Sequence, residues 1–138
     1  MVCVLESETR VMKALREFIG PAQMRVLAMN CRGEEGEWFR NRLAEIAELI
    51  TKMPKTYETD GEGDKAVAHL HYFTSGWDFY ITEKDTNPGQ HQAFGLVAGF
   101  EIELGSISIP ELLGCGAEID LYWEPKTIGA VRAELANR

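Results

Sequence analysis

Histidines and carboxylates are the residues of this chain whose spacing could support chemistry. His69 and His71 flank Leu70, and on a strand, where side chains alternate between faces, both imidazoles would share a side. Such a pair could begin a metal site, with His91 or Asp78 supplied as a third ligand by tertiary contact. Exposed or hydrogen-bonded histidines are the plainer reading of an HxH pair. Glu83-Lys84-Asp85 places mixed charge where a strand should end, and a glutamate there could act as a base or simply close a polar turn. Glu101 with Glu103, and Glu118 with Asp120, are paired at i, i+2 and could hold Mg²⁺ or share acid–base work. No nucleophile accompanies any of these groups at a characteristic spacing. The chain has no GxSxG, Walker, HExxH or dinucleotide signature, so no catalytic residue is assigned and neither a metal nor another cofactor is expected.

Charge is distributed unevenly. The 138 residues hold 14 Lys+Arg against 22 Asp+Glu, a formal net charge of -8. From Asp85 to Pro125 there is no lysine or arginine, while Asp85, Glu101, Glu103, Glu111, Glu118, Asp120 and Glu124 all fall there. On strands, Glu101 and Glu103 would oppose Ile102 and Leu104, and Glu118, Asp120, Tyr122 and Glu124 would oppose Ile119, Leu121 and Trp123. If those strands lie close, one sheet face is a core wall and the other a carboxylate array. Such an array either meets a basic partner or only keeps the domain in solution.

The elements that must position these groups divide the chain. Ser7 and Glu8 cap a helix carrying Val11, Met12, Leu15, Phe18 and Ile19, and Gly20-Pro21 stops it. Residues 23–29 suit a strand or a helical turn equally. A stronger helix over Glu37 to Lys52 buries Trp38, Phe39, Leu43, Ile46, Ala47 and Ile50, and turns Arg40, Arg42, Glu45 and Glu48 to water. After a polar loop over residues 56–64, Ala66–Phe73, Trp77–Thr82, Ala93–Phe100, Glu101–Ile109 and Glu118–Trp123 have the composition of strands. Gly95, Gly99 and Gly105 fall among them as bulges or close backbone approaches. Pro110–Leu113 reads as one helical turn and Lys126–Ala136 as a final helix. The expected fold is α+β: N-terminal helices, a mostly antiparallel sheet meander and a short C-terminal helix. Residues 1–138 are expected to form one domain, helical over 1–55 and β-rich over 66–130.

Composition narrows the functional class. Apolar residues make up 45% and charged residues 26%, as in ordinary folded domains. The acidic balance argues against direct binding to nucleic acid or to anionic membranes. No apolar run reaches transmembrane length and no secretory leader is visible. Cys3, Cys31 and Cys115 are odd in number and widely spaced, which fits buried or idle thiols in the cytoplasm rather than a disulfide framework. The three tryptophans are expected in the core.

Several motifs in order carry a family resemblance: Leu70-His71-Tyr72-Phe73, Trp77 to Asp85 (WDFYITEKD), Gln92-Ala93-Phe94-Gly95, Glu103-Leu104-Gly105-Ser106-Ile107-Ser108-Ile109, and Glu118-Ile119-Asp120-Leu121-Tyr122-Trp123. Over about residues 66–130 the chain resembles the domain-of-unknown-function family 2958, whose modules occur in large proteins of phages and plasmids. Ser106 stands where that pattern has an aromatic residue, and Phe79 is an extra residue in the tryptophan segment. The resemblance implies a mobile-element setting beside antirestriction and polyvalent proteins, and it carries no catalytic residues.

Together these features lead to an expectation of a non-enzymatic, acidic interaction module, a counter-defence inhibitor of antirestriction or anti-CRISPR type. Its partner would be a host nucleic-acid-binding complex with a basic surface, met through Glu101, Glu103, Glu118, Asp120 and Glu124, with Tyr122 as aromatic anchor. The alternative is an enzyme or enzyme accessory with a small metal or nucleotide site around His71, Glu83 and Asp85.

Overall fold

In a computed structural model, residues 11–138 are described. Helix α1 covers residues 11–18, and its expected cap at Ser7 and Glu8 lies outside the described residues. Pro21, whose missing N–H costs nothing in a first helical turn, starts α2 (Pro21–Cys31), so the ambiguous 23–29 segment is helical. Its inward stripe is Met24, Leu27 and Cys31, a helical spacing that only the neighbouring core makes decisive. Helix α3 (Gly36–Lys52) buries Leu43, Ile46, Ala47 and Ile50. Its last turn is closed by Lys84, whose Nζ donates to the Ile50 and Thr51 carbonyls at 2.7 and 3.1 Å.

The strand region is an antiparallel meander. Strands β2 (Leu70–Thr74), β3 (Trp77–Glu83), β4 (Ala93–Ala98) and β5 (Ile102–Ile107) pair in sequence order, and the two-residue β6 (Glu118–Ile119) joins the far side of β2. The spatial order is β5-β4-β3-β2-β6. The expected strand over Ala66–Phe73 is two: β1 (Val67–Ala68) leaves the main sheet to pair with β7 (Lys126–Thr127). After β5, helix α4 (Ile109–Gly114) is capped by Ser108, and after β7, helix α5 (Ile128–Ala136) is capped by Thr127.

The sheet separates two cores. One face packs Leu70, Tyr72, Ile81, Ile107 and Ile119 against α1, α2 and α3. The other packs Tyr80, Leu96 and Ala98 against Trp123 and the Ile128 and Val131 side chains of α5. Tyr72 is fully buried, donates its hydroxyl to the Phe18 carbonyl, and is pushed by that burial well above the usual tyrosine pKa.

The expected strand over Glu118–Trp123 ends at Ile119. Beyond it the Asp120 carboxylate accepts the Tyr122 N–H at 2.9 Å, an Asx turn that bends the chain. The Arg42 guanidinium then donates to the Leu121 and Trp123 carbonyls. Arg42 therefore faces inward, with its side chain 15% exposed, not outward as amphipathicity suggested. The charged head follows unpaired carbonyls. Gln23 does similar work at the outer edge of β6: its amide donates to the Ile119 carbonyl at 3.0 Å and accepts the Ile119 N–H at 2.9 Å.

Candidate functional site

The six residues singled out for partner binding fall into two groups. Glu103 lies on β5, with Glu101 just before it, whereas Glu118 lies on β6 and Asp120, Tyr122 and Glu124 follow it. β5 and β6 are opposite edges of the sheet, four interstrand spacings or roughly 19 Å apart. The strands are not neighbours, so there is no common carboxylate array. The sequence could not reveal this, because alternation fixes a face but not a strand's place in the sheet.

Around Glu101 and Glu103 the structure adds aromatic surface. Glu103 is the cross-strand partner of Val97, which in turn pairs with Phe79. Trp77 stacks on Phe79, with ring centroids 6.2 Å apart and planes at 16°. Phe100, at the tip of the β4–β5 turn, meets the Trp77 ring edge-on at 5.4 Å and 82°, yet remains 95% exposed. Gly99 makes this arrangement possible, since a Cβ there would lie 2.1 Å from the indole. Ile102 and Phe73 add exposed apolar surface at the same end of the sheet. Two expectations change here: Phe100 is a turn residue and not the end of a strand, and Trp77 is a half-buried platform residue and not core. Gly95 is indeed a close approach, opposite the bulge between Ile81 and Glu83, whereas Gly105 faces open space.

At the other edge, Tyr122 is 77% exposed and stacks on Trp38 at 5.4 Å and 29°. Trp38 is 40% exposed, so of the three tryptophans only Trp123 is buried core. Beside them, a cleft of about 520 Å³ is lined by His71, Tyr80, Asp120, Glu124, Lys126 and Arg138, among others. Cations from outside the lysine-free stretch enter this cleft but pair with acids that also lie outside it: Arg138 meets Asp78 at 3.3 Å, and Lys126 meets Glu134 at 2.7 Å while lying 4.7 Å from the centre of the Trp123 ring.

His71 is held between two carboxylates. Its Nδ1 lies 2.9 Å from Asp120 Oδ2 and its Nε2 lies 2.7 Å from Asp78 Oδ1. The ring stacks on Tyr80 at 4.7 Å and 15°. Asp78 thus reaches His71 as the sequence allowed, but His69 does not share the site. His69 lies in the break between β1 and β2 beside Arg42 and Met53, and burial lowers its pKa. Among the described residues no three His, Cys, Asp or Glu side chains are grouped to hold a metal ion. With both ring nitrogens committed, His71 has no free position for a substrate and acts as a clasp joining β2, β3 and the turn after β6.

Glu83 and Asp85 do not join His71 in one site. Glu83 is 4% exposed; its Oε1 accepts the Tyr57 N–H at 2.8 Å, and its Oε2 accepts the Thr59 N–H at 3.0 Å and the Thr59 hydroxyl. Three donors offset the cost of burying the carboxylate. They also hold Tyr57 at φ 71°, a left-handed conformation that costs a bulky residue on the order of 1–3 kcal/mol. Asp85 accepts the Asn87 and Gln92 N–H groups, both at 3.1 Å, and organises its own loop. Cys31 is half-buried and Cys115 exposed, while Cys3 lies outside the described residues. No helix among the described residues is long and apolar enough to cross a membrane.

Compared with protein families, with curated proteins and with solved structures, the chain matches none.

Proposed function

We propose that this chain is a non-enzymatic protein-interaction module that occupies a basic surface of its partner through the turn end of its sheet. The observation that supports this most directly is Phe100: a phenylalanine 95% exposed, braced by Trp77 and followed by Glu101 and Glu103. An apolar ring held in water beside carboxylates, with no lysine or arginine between Asp85 and Pro125, complements a cationic surface with apolar recesses. The carboxylates raise the rate of encounter, and the aromatic rings, whose faces attract guanidinium and ammonium groups, set the residence time. The mobile-element, counter-defence setting comes from the sequence resemblance, and a nucleic-acid-binding host complex is the partner class that fits it. Tyr122, stacked on Trp38, offers a second aromatic contact at the opposite edge.

The test is a parallel capture from lysates of hosts carrying intact defence systems, with wild type, Phe100→Ser and Glu101→Lys/Glu103→Lys as baits. The expected result is a nucleic-acid-binding protein retained by wild type, released by moderate salt and lost with both variants. A retained protein indifferent to both variants, or no retained protein in any such host, overturns the reading.

A further inference from the structure

We infer that the cavity between the polar loop over residues 56–64 and the sheet is a binding site for a small organic cation, an amidine, guanidine or amine carried on an apolar body. The cavity measures about 400 Å³, within the size range of small-molecule sites. It lies at the opposite end of the sheet from Phe100 and does not depend on the interaction surface there.

Three features define the ligand. Phe94 and Leu104 give the cavity an apolar floor suited to a flat or aliphatic body. Glu83 and Asp60 line it while no lysine or arginine does, so its field favours a positive charge. Glu83 accepts three hydrogen bonds from the loop, one of them on Oε1. A carboxylate can accept about four, leaving Oε1 one position for a donor on the ligand.

The loop that Glu83 organises adds a second observation. Tyr57 and Gln90 are the only non-glycine residues with positive φ among the described residues. Gln90 is buried and organises its own loop with Asp85, whereas Tyr57 is 79% exposed at the cavity mouth. A bulky residue that lines the cavity is thus held in a costly conformation with its ring largely in water, available to a ligand seated on Phe94. Backbone strain concentrates at such clamps.

Benzamidine, with its neutral and anionic counterparts benzamide and benzoate, probes the site in an amide NMR titration of the full chain. Benzamidine is expected to shift the amides of residues 57–61, 83 and 94, to bind about tenfold or more tightly than benzamide, and to lose that preference in Glu83→Gln. Because Glu83→Gln can loosen the loop, Ser106→Trp serves as the second variant: it places an indole in the cavity from the β5 side and is expected to abolish the shifts while sparing the rest of the spectrum. No saturable shifts in the millimolar range, equal binding of benzoate, or shifts confined to Trp77, Phe79 and Phe100 would each overturn the assignment.

Discussion

Replacing Arg42 with methionine separates what this side chain does for the fold from what its helix does. The guanidinium donates to the Leu121 and Trp123 carbonyls and pairs with Glu45 at 2.8 Å. Glu45 is 64% exposed, so that pair contributes at most about 0.5 kcal/mol. Each charge-assisted bond to a carbonyl contributes roughly 1.5–3 kcal/mol net, and methionine retains most of the apolar stem. Allowing for non-additivity between two bonds from one group, Arg42→Met should cost about 2–4 kcal/mol. With a urea m-value of about 2 kcal/mol per molar, the unfolding midpoint falls by roughly 1–2 M. Because Trp123 and Tyr122 sit on the tethered segment and Tyr122 stacks on Trp38, tryptophan fluorescence should report the change before global unfolding. Arg42→Lys should recover only part of the loss, since an ammonium cannot present the planar fork that meets two carbonyls. A loss below about 0.5 kcal/mol, the scale of ordinary surface substitutions, would refute the account.

Other outcomes follow from the same contacts. His71→Ala leaves Asp78 and Asp120 facing one another and should cost about 2–4 kcal/mol; a double-mutant cycle with Asp120→Asn should give a coupling of at least about 1 kcal/mol, and additivity would show that the clasp is idle. Burial lowers the His69 pKa from its ordinary 6.5, so below about pH 6.5 the unfolded chain takes up the proton first and stability falls as pH falls. His69→Gln should flatten that part of the urea-midpoint profile. Gly99→Ala places a Cβ against the Trp77 ring and should cost about 1–3 kcal/mol while shifting indole emission. Phe100→Ser, at a nearly fully exposed position, should leave the urea midpoint unchanged within about 0.5 kcal/mol even as partner binding is lost.

Much of the architecture was legible because its signals are local. The α3 stripe, the Pro110 turn and the β2–β5 meander each follow from periodicity and turn residues within a few positions. What was hidden depends on partners distant in sequence. Nothing near Arg42 shows that carbonyls 79 and 81 residues away await it, and nothing near Ile119 shows that Gln23 will supply its missing bonds. The candidate surface divided in the same way. Glu101 and Glu103 stood out through the missing lysines, while Phe100 was masked by an apolar run that reads as strand, although the Gly99 beside it was the available sign of a turn. The His71 clasp needed Asp120, 49 residues away.

The sheet's two borders are finished differently, and this governs how copies of the chain behave at high concentration. β6 is only two residues long and its outer hydrogen bonds are taken by Gln23. β5 spans six residues and, among the described residues, pairs only with β4. A free strand of that length templates stacking of like molecules unless something prevents it. Here Glu103 on the strand and Glu101 at its start set negative charge against negative charge whenever two such borders approach. Replacing both with valine would remove that repulsion from an already apolar tip and is expected to promote edge-to-edge assembly.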